Sequence, residues 1–321
     1  MPPPPHRARA NALLTLTAAI WGLGFVAQRM GAEHVGAFSF NAVRFALGAL
    51  SLLPLIWLLG RRSRGPRGPV SPPSVTRRGS APALVPGLVA GLFLFTAAAL
   101  QQVGIETTTA GKASFVTGLY IVLVPVLGIA LRHRTTPATW TGVLLAVSGL
   151  YLLTVTEDLS VARGDLLVLV GAFFWAGHIL LIDHYTRTVD ALRLSAAQFA
   201  ACAGFSAVAA LVADPVPFGG LREAVVPILY GGLVVVGVAY TLQVVAQKDA
   251  KPAHAAMILS LETVFGAVGG ALLLDEVMAP RALLGCALML AGILVSQLGG
   301  PPGQTAEDVL PVPEPLPPER V

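Results

Sequence analysis

Ten apolar runs, each close to the length of a membrane-spanning helix, dominate this sequence of 321 residues. A helix needs about 20 mostly apolar residues to cross the hydrocarbon core of a bilayer. The runs are continuous and do not alternate with period two, which favours helices over a membrane β-barrel. We therefore predict an all-α integral membrane protein with ten transmembrane helices in the lipid bilayer. The ten runs are residues 11–30, 37–59, 83–103, 109–131, 138–154, 164–182, 194–213, 224–246, 253–274 and 280–298.

The composition excludes the main alternatives. Charged residues make up 12% of the chain and hydrophobic residues 55%, whereas soluble domains carry about 25% charged residues. Disorder over the whole chain requires low hydrophobicity, and a disulfide scaffold requires more than two cysteines. The net charge of +4 does not indicate nucleic-acid binding, because the basic residues lie between the apolar runs and not along one stripe.

The basic residues predict the orientation. With the N-terminus inside, the inner loops and the N-terminal tail hold fourteen Lys and Arg residues and the outer side holds five. Residues 1–10 are then a cytoplasmic tail, the first run is an uncleaved helix, and ten spans return the C-terminus to the cytoplasm. The Arg- and Pro-rich loop 61–82 and the Pro-rich tail 299–321 are predicted to be disordered. The Ala-, Arg- and Pro-rich composition favours a bacterial plasma membrane.

The two halves of the chain resemble each other. Segments 11–154 and 164–298 each hold five spans, so the second copy crosses the membrane in the opposite direction to the first. Many secondary transporters are built from such inverted-topology repeats, with the substrate site near the midplane between the halves. The matching residues, at offsets of 142 to 154, are Trp21 with Trp175, Arg44-Phe45 with Gln198-Phe199, Gln101 with Gln243, Gly118-Leu119-Tyr120 with Ser260-Leu261-Glu262, and Gly142 and Gly149 with Gly285 and Gly292.

Several short motifs resemble the EamA branch of the drug/metabolite transporter superfamily. They are Ala19-Ile20-Trp21-Gly22, Asn41-Ala42-Val43-Arg44-Phe45, Gly118-Leu119-Tyr120 with Pro125, Ser260-Leu261-Glu262-Thr263-Val264-Phe265, Asp275-Glu276, and Gly285 with Ala291-Gly292. The resemblance covers about residues 11–298. It implies ten helices, cytoplasmic ends and movement of small polar metabolites, usually as export, and it leaves the substrate open.

Two ionisable residues lie deep in apolar runs. Glu262 is nine residues into its span, at a depth of roughly 14 Å, and a carboxylate there rarely faces lipid. It is either a proton-coupling or substrate-amine group, or part of a structural ion pair or interhelical hydrogen bond. Arg44 lies within about 6 Å of the same depth. It either pairs with Glu262, so that each makes burial of the other tolerable, or binds a substrate carboxylate.

Uncharged candidates lie at similar depths. Trp21 and Trp175 either line a central cavity or pack in the bundle, and His178, on the same helix face as Trp175, is either a proton switch or a helix contact. The remaining candidates offer neutral hydrogen bonds to a solute or between helices. They are Gln101, Gln243, Tyr120 and Tyr240.

The sequence predicts a secondary transporter that moves an amino-acid-like or drug-like metabolite, as an exporter working by alternating access. It holds no phosphate-binding loop, no catalytic motif and no metal-ligand spacing, so we predict no enzyme, no catalytic residue, no cofactor and no metal. Energy then comes from a gradient, with protons coupled through Glu262. The alternatives are a polytopic membrane enzyme acting on lipid-linked substrates and a passive channel. The pair Asp275-Glu276 is interpreted as a turn between the last two spans.

Overall fold

The computed structural model describes residues 5–62, 82–107, 110–133, 135–154, 163–273 and 279–298. This part of the chain consists of helices joined by short turns, which confirms the predicted all-α class for the residues described. The helices are α1 (Pro5–Ala32), α2 (Ala37–Arg62), α3 (Leu84–Thr107), α4 (Ala110–Gly118), α5 (Tyr120–Ala130), α6 (Pro137–Thr154), α7 (Arg163–Tyr185), α8 (Ala191–Ala213), α9 (Val225–Leu229), the π-helical segment Tyr230–Tyr240, α10 (Thr241–Ala246), α11 (Pro252–Leu259), α12 (Glu262–Leu273) and α13 (Pro280–Leu298).

The helices have the length and surface of membrane spans. Six are long and apolar enough to cross a bilayer, and four shorter apolar helices accompany them in the described part. Large apolar side chains such as Leu144, Leu211 and Val212 point away from the bundle, and such an exterior is stable in lipid. The six are His6–Ala32, Ala37–Leu59, Leu84–Thr107, Arg163–Tyr185, Ala191–Ala213 and Val225–Ala246, and the four are Phe115–Ala130, Pro137–Leu153, Pro252–Val268 and Pro280–Ser296.

Three of the predicted spans are not continuous α-helices. The fourth is interrupted at Leu119, between α4 and α5, and the ninth at Ser260 and Leu261, between α11 and α12. At both interruptions the backbone tightens: the Leu119 N–H donates to the Val116 carbonyl at 3.3 Å, and the Leu261 N–H to the Ile258 carbonyl at 3.1 Å. The eighth is π-helical between α9 and α10. The apolar runs continue on both sides of these sites, so hydropathy averaged over a span does not reveal them.

Helices of the two halves pack against each other in matched pairs. Helix α6 packs on α13, α2 on α8, α3 on both α7 and α8, and the π-helical segment on both α1 and α2. Exchanging each helix for its counterpart in the other half turns the contact of α3 with α8 into that of the π-helical segment with α2. Likewise the contact of α3 with α7 becomes that of the π-helical segment with α1. These main interhelical contacts therefore have counterparts when the halves are exchanged.

Glycines bring α6 and α13 into backbone contact. A Cβ on Gly142 would lie 2.5 Å from the Gly292 carbonyl oxygen, and one on Gly149 would meet the Gly285 carbonyl oxygen. The order of these contacts shows that α6 and α13 run antiparallel. Small residues at such crossings allow the close approach that stabilises membrane helix pairs.

Each end of the bundle is joined by hydrogen bonds between the halves. At one end, here called the Asp214 end, Asp214 Oδ2 accepts from the Ser39 backbone N–H at 2.7 Å and from the Ser39 hydroxyl at 2.6 Å. The Phe218 backbone N–H donates to Ser39 Oγ at 2.8 Å. At the other, the Asn11 end, His254 Nε2 lies 3.0 Å from Asn11 Oδ1.

One prediction from the sequence differs from the structure, and others concern residues that the structure does not describe. Helix α1 begins at Pro5, so the described part of the predicted tail, residues 5–10, is helical. The predicted disordered segments 61–82, apart from its first two and last residues, and 299–321 lie outside the described residues, as does the predicted turn at Asp275-Glu276.

Candidate functional site

A small cavity lies between the two halves of the bundle. Its volume is about 30 Å³, which accommodates water but not a metabolite. Polar and aromatic side chains from both halves converge on it although the surrounding runs are apolar. The lining residues are Trp21, Phe25, Gln28, Arg44, Gln101, Thr117, Tyr120, Trp175, Ile179, Val235, Tyr240, Gln243 and Glu262.

The structure brings together eight of the nine candidate residues. These are Glu262, Arg44, Trp21, Trp175, Tyr120, Gln101, Gln243 and Tyr240. The ninth, His178, lies behind the lining: it is fully buried, its Nε2 is 2.8 Å from Gln198 Oε1, and its ring meets the Trp175 ring edge-on. The polar character of the other eight is therefore concentrated at one place in the molecule.

Glu262 and Tyr120 contact each other at the interrupted helices. The Tyr120 hydroxyl donates to Glu262 Oε1 at 3.2 Å. Tyr120 is the first residue of α5 and Glu262 the first residue of α12, so both stand at helix N-termini, where the helix dipole favours negative charge. Both side chains are buried. The pair also joins two residues that match in the internal repeat.

Arg44 is held by neighbours on its own helix. Its Nε donates to Asn41 Oδ1 at 2.9 Å, and the guanidinium lies over the rings of Phe40 and Phe45, at 5.4 and 5.0 Å from their centroids. Arg44 is only 2% exposed. Cation–π contacts of this kind stabilise a desolvated guanidinium.

The ion pair considered between Arg44 and Glu262 is not formed. Arg44 is bonded to Asn41 and Glu262 to Tyr120, and no salt bridge within 4.0 Å joins Arg44 to Glu262. The sequence placed Arg44 and Glu262 at similar depth, but depth carries no information on position around the bundle axis. The cavity therefore presents one cationic and one acidic side chain that do not neutralise each other by contact.

Aromatic rings form one wall of the cavity. The Tyr240 ring lies 4.6 Å from Trp21 and 6.0 Å from Trp175, centroid to centroid, and is nearly parallel to the latter. Behind it, Phe45 and Phe199 each lie 6.1 Å away. Such offset and tilted ring pairs are favourable, so the wall is well packed.

Glutamines form a hydrogen-bonded cluster on the side of the cavity toward the Asp214 end. Gln101 Oε1 accepts from Trp175 Nε1 at 3.0 Å and from the Thr117 hydroxyl at 3.5 Å. Gln101 Nε2 donates to Gln28 Oε1 at 3.2 Å, and Gln102 Nε2 to the Gln28 carbonyl at 3.2 Å. Nearby, Arg29 donates to the Ile105 carbonyl at 3.1 Å, which ties the ends of α1 and α3 together.

On the opposite side of the cavity, some polar side-chain atoms lack hydrogen-bond partners. Gln243 Nε2 donates to Gln247 Oε1 at 2.9 Å, and Gln247 Nε2 donates to the Ile179 carbonyl at 3.0 Å. Gln243 Oε1 and Trp21 Nε1, however, are buried without a hydrogen-bond partner. A buried donor and acceptor without partners are costly and require an explanation.

Sequence analysis missed five lining residues: Phe25, Gln28, Thr117, Ile179 and Val235. For two of them a signal exists, because Trp21, Phe25 and Gln28 are spaced i, i+4 and i+7 and so share one helix face. The apolar Ile179 and Val235 carry no signal among so many similar residues.

Comparison with known proteins adds independent information. The profile of the EamA-like transporter family matches this chain twice, over residues 8–155 and 162–298. An uncharacterized transporter of Archaeoglobus fulgidus is 29% identical over 295 residues, covering 91% of this chain and 87% of that protein. An uncharacterized transporter of Bacillus subtilis is 21% identical over 283 residues, covering 86% and 92%.

The fold also has a solved counterpart. A crystal structure with 18% sequence identity superposes with a TM-score of 0.71 and covers 91% of this chain and 97% of that one. At this identity the similarity concerns the fold alone.

Proposed function

This chain belongs to the EamA-like transporter family, and on that premise we propose that it is a secondary transporter that moves a small, amino-acid-like metabolite by alternating access. The family and the transporter relatives establish a multi-pass membrane transporter. The substrate, the mechanism and the direction are our own inference.

The proposed architecture is ten transmembrane helices in two inverted five-helix repeats. It is supported by the two family matches, one in each half. It is also supported by the main helix contacts, such as α3 with α7 and α8, which have counterparts when the halves are exchanged, and by the antiparallel crossing of α6 and α13. In this arrangement α4 with α5, α9 with the π-helical segment and α10, and α11 with α12 each form one span.

The observation that carries the substrate proposal is the presence of Arg44 and Glu262 on one cavity without an ion pair between them. A guanidinium is suited to a carboxylate, and a carboxylate to an ammonium group. A zwitterionic amino acid offers both, and the aromatic wall formed by Trp21, Trp175 and Tyr240 suits an apolar side chain. The cavity must widen to admit such a molecule, since its volume is about 30 Å³.

Glu262 is the proposed proton-coupling group, and the transport direction is export. Its carboxyl has one hydrogen-bond donor, Tyr120, so it can hold or release a proton without rearranging an ion pair. A proton on Glu262 removes the charge that would bind the substrate amine, so proton and substrate compete for one group. The proposed location is a bacterial inner membrane with both chain ends in the cytoplasm.

Counterflow in proteoliposomes tests this function. Vesicles preloaded with a mixture of unlabelled amino acids are diluted into labelled ones, and a carrier accumulates label transiently because unlabelled solute on the far side speeds its return. A passive channel shows no such trans-stimulation, and an enzyme converts the label to another compound. Absence of trans-stimulation with every amino acid would overturn the substrate proposal.

Glu262→Gln tests the coupling in the same vesicles. A pH gradient should drive uptake by the unmodified protein and not by Glu262→Gln, and exchange between amino acids should weaken as well because Glu262 also binds the substrate amine. Thr96→Val is the matched control, because the Thr96 hydroxyl bonds to the Leu92 carbonyl of its own helix on an exposed surface. Full pH-driven uptake by Glu262→Gln would remove Glu262 from the coupling mechanism.

A further inference from the structure

The two tryptophan–glutamine pairs of the cavity are not in the same state. Trp175 and Gln101 are joined by a hydrogen bond of 3.0 Å. Their counterparts in the other half are Trp21, at an offset of 154, and Gln243, at an offset of 142. In that pair the donor Trp21 Nε1 and the acceptor Gln243 Oε1 are both buried and both unpaired. One hydrogen bond between the two halves is therefore made, and its repeat-related equivalent is not.

We propose that these two hydrogen bonds are made alternately and lock opposite ends of the transporter. The bond from Trp175 to Gln101 is made when the Asp214 end is closed, and the bond from Trp21 to Gln243 is made when the Asn11 end is closed. This inference rests on the alternating access proposed above. It assigns the four residues as positioning residues for the conformational change, a role separate from substrate contact.

The position of each pair along the bundle supports the assignment. Gln101 lies near the end of α3, in the cluster with Gln28 and Gln102 that leads to the Asp214 end. Gln243 lies near the end of α10, and its amide leads through Gln247 to the Ile179 carbonyl, toward the Asn11 end. In the present structure the first cluster is closed by Trp175, whereas the second lacks its bond to Trp21.

The distribution of unpaired buried polar atoms supports the same assignment of the two ends. Five of the nine found in the described residues lie toward the Asn11 end, in the last part of α7, the first part of α8 and in α10. Since unpaired buried polar atoms are costly, a state in which water or substrate reaches them is favoured at that end. The five are His178 Nδ1, Ser195 Oγ, Gln198 Nε2, Thr241 Oγ1 and Gln243 Oε1.

The π-helical segment provides a physical reason for the asymmetry. Helix α3 is α-helical through Gln101, whereas the equivalent span is π-helical over Tyr230–Tyr240, ending three residues before Gln243. A wider turn rotates every later residue about the helix axis. Return of this segment to α geometry therefore turns Gln243 relative to Trp21. π-Helical turns are rare and are frequently found at functional sites, as expected for a segment that changes conformation.

Hydrogen–deuterium exchange of the full-length protein in nanodiscs tests the proposal without any substrate. Gln101→Leu removes the acceptor of the bond that is present and should raise exchange at the Asp214 end, in residues 33–39 and 214–222, and lower it at the Asn11 end, in 186–192 and 247–254. Gln243→Leu should produce the opposite changes. A net hydrogen bond predicts about a two- to tenfold shift in the ratio of the two states.

Two further variants exclude a general loss of folding. Trp175→Phe and Trp21→Phe keep an aromatic ring and remove only the N–H donor, so they should reproduce the shifts of Gln101→Leu and Gln243→Leu respectively. The double variant Gln101→Leu/Gln243→Leu should return exchange toward that of the unmodified protein, and Thr96→Val should leave it unchanged.

The outcomes separate this proposal from the proposed function. Opposite shifts support the alternating bonds even when counterflow fails, which would count only against transport of amino acids. Shifts in the same direction for Gln101→Leu and Gln243→Leu, or no shift for Gln243→Leu, would overturn the alternating bonds even when counterflow succeeds.

Discussion

Arg44 keeps its charge inside the bundle because its own helix supports it. Asn41 fixes Nε and two phenylalanine rings cover the guanidinium, which leaves the remaining N–H groups for the cavity. Arginine differs from lysine here in two ways: the planar group stacks on rings, and it offers several donors in a fixed geometry.

Arg44→Lys should therefore weaken substrate binding although the charge remains. Lysine has no Nε–H to donate to Asn41 Oδ1, and its ammonium cannot bind a carboxylate through two parallel bonds. We expect amino-acid affinity to fall about tenfold or more, measured by equilibrium binding to the purified protein. Unchanged affinity would show that Arg44 only supports the structure.

Asp214 links the two halves by accepting three hydrogen bonds at the start of α2, from the Phe38 and Ser39 backbone N–H groups and the Ser39 hydroxyl. Asp214→Asn removes the negative charge at this helix N-terminus. It should cost about 1 kcal/mol locally and speed amide exchange in residues 37–40. Asp190→Asn, at the start of α8, is the matched control, since Asp190 caps only its own helix. Equal effects of both variants on residues 37–40 would contradict the link.

At this scale the sequence was informative wherever a polar group lay in an apolar run. Such groups are costly in lipid and therefore turn inward, which brought eight candidates to the cavity. The sequence was uninformative about direction around the bundle. For that reason the contact of Glu262 with Tyr120 in place of Arg44, and the position of His178 behind the lining, were not predictable.

Interrupted helices place the polar groups at the centre of the bundle. Helices α5 and α12 begin inside the protein, at Tyr120 and Glu262, so two helix N-termini face the cavity region. Irregular backbone at this depth is tolerated only where protein or a cavity surrounds it. The sequence gives the ten apolar runs but not these interruptions, because Leu119 and Leu261 are as apolar as their surroundings.

The close packing of α6 against α13 can be tested with glycine substitutions. Gly142→Ala should lower the midpoint of thermal unfolding, because the added Cβ would meet the Gly292 carbonyl at 2.5 Å and overpacking costs about 1–3 kcal/mol. Gly204→Ala is the control: it is exposed on α8 with nothing within 4 Å of the added Cβ. It should be neutral or stabilising, since alanine favours helix by about 1 kcal/mol. The same decrease for both would show that the crossing is loose.

For the whole molecule, the distribution of charge and the inverted repeat predict one orientation. The Asn11 end carries Arg187, Arg193, Lys248 and Lys251, whereas Arg29, Arg163 and Arg222 lie at the Asp214 end. By the positive-inside rule we predict that the Asn11 end faces the cytoplasm.

Cysteine labelling measures this orientation. With both native cysteines replaced by alanine, Glu223→Cys should react with a membrane-impermeant maleimide in intact cells, and Lys248→Cys only after permeabilisation. Both side chains are exposed, so accessibility within the protein does not limit the reaction. Reaction of Lys248→Cys in intact cells would reverse the orientation.

The contact between Tyr120 and Glu262 has one further consequence. They occupy the same position in the two proposed repeats and contact each other. They therefore lie close to the pseudo-two-fold axis that would relate the two repeats. In a homodimer of either half, that place would meet its own image, and two acids or two phenols would stand face to face. A tandem gene, whose copies vary separately, can set a single acid opposite a single phenol. Joining the halves in one chain thus permits one carboxylate at the centre of the molecule without a second carboxylate facing it.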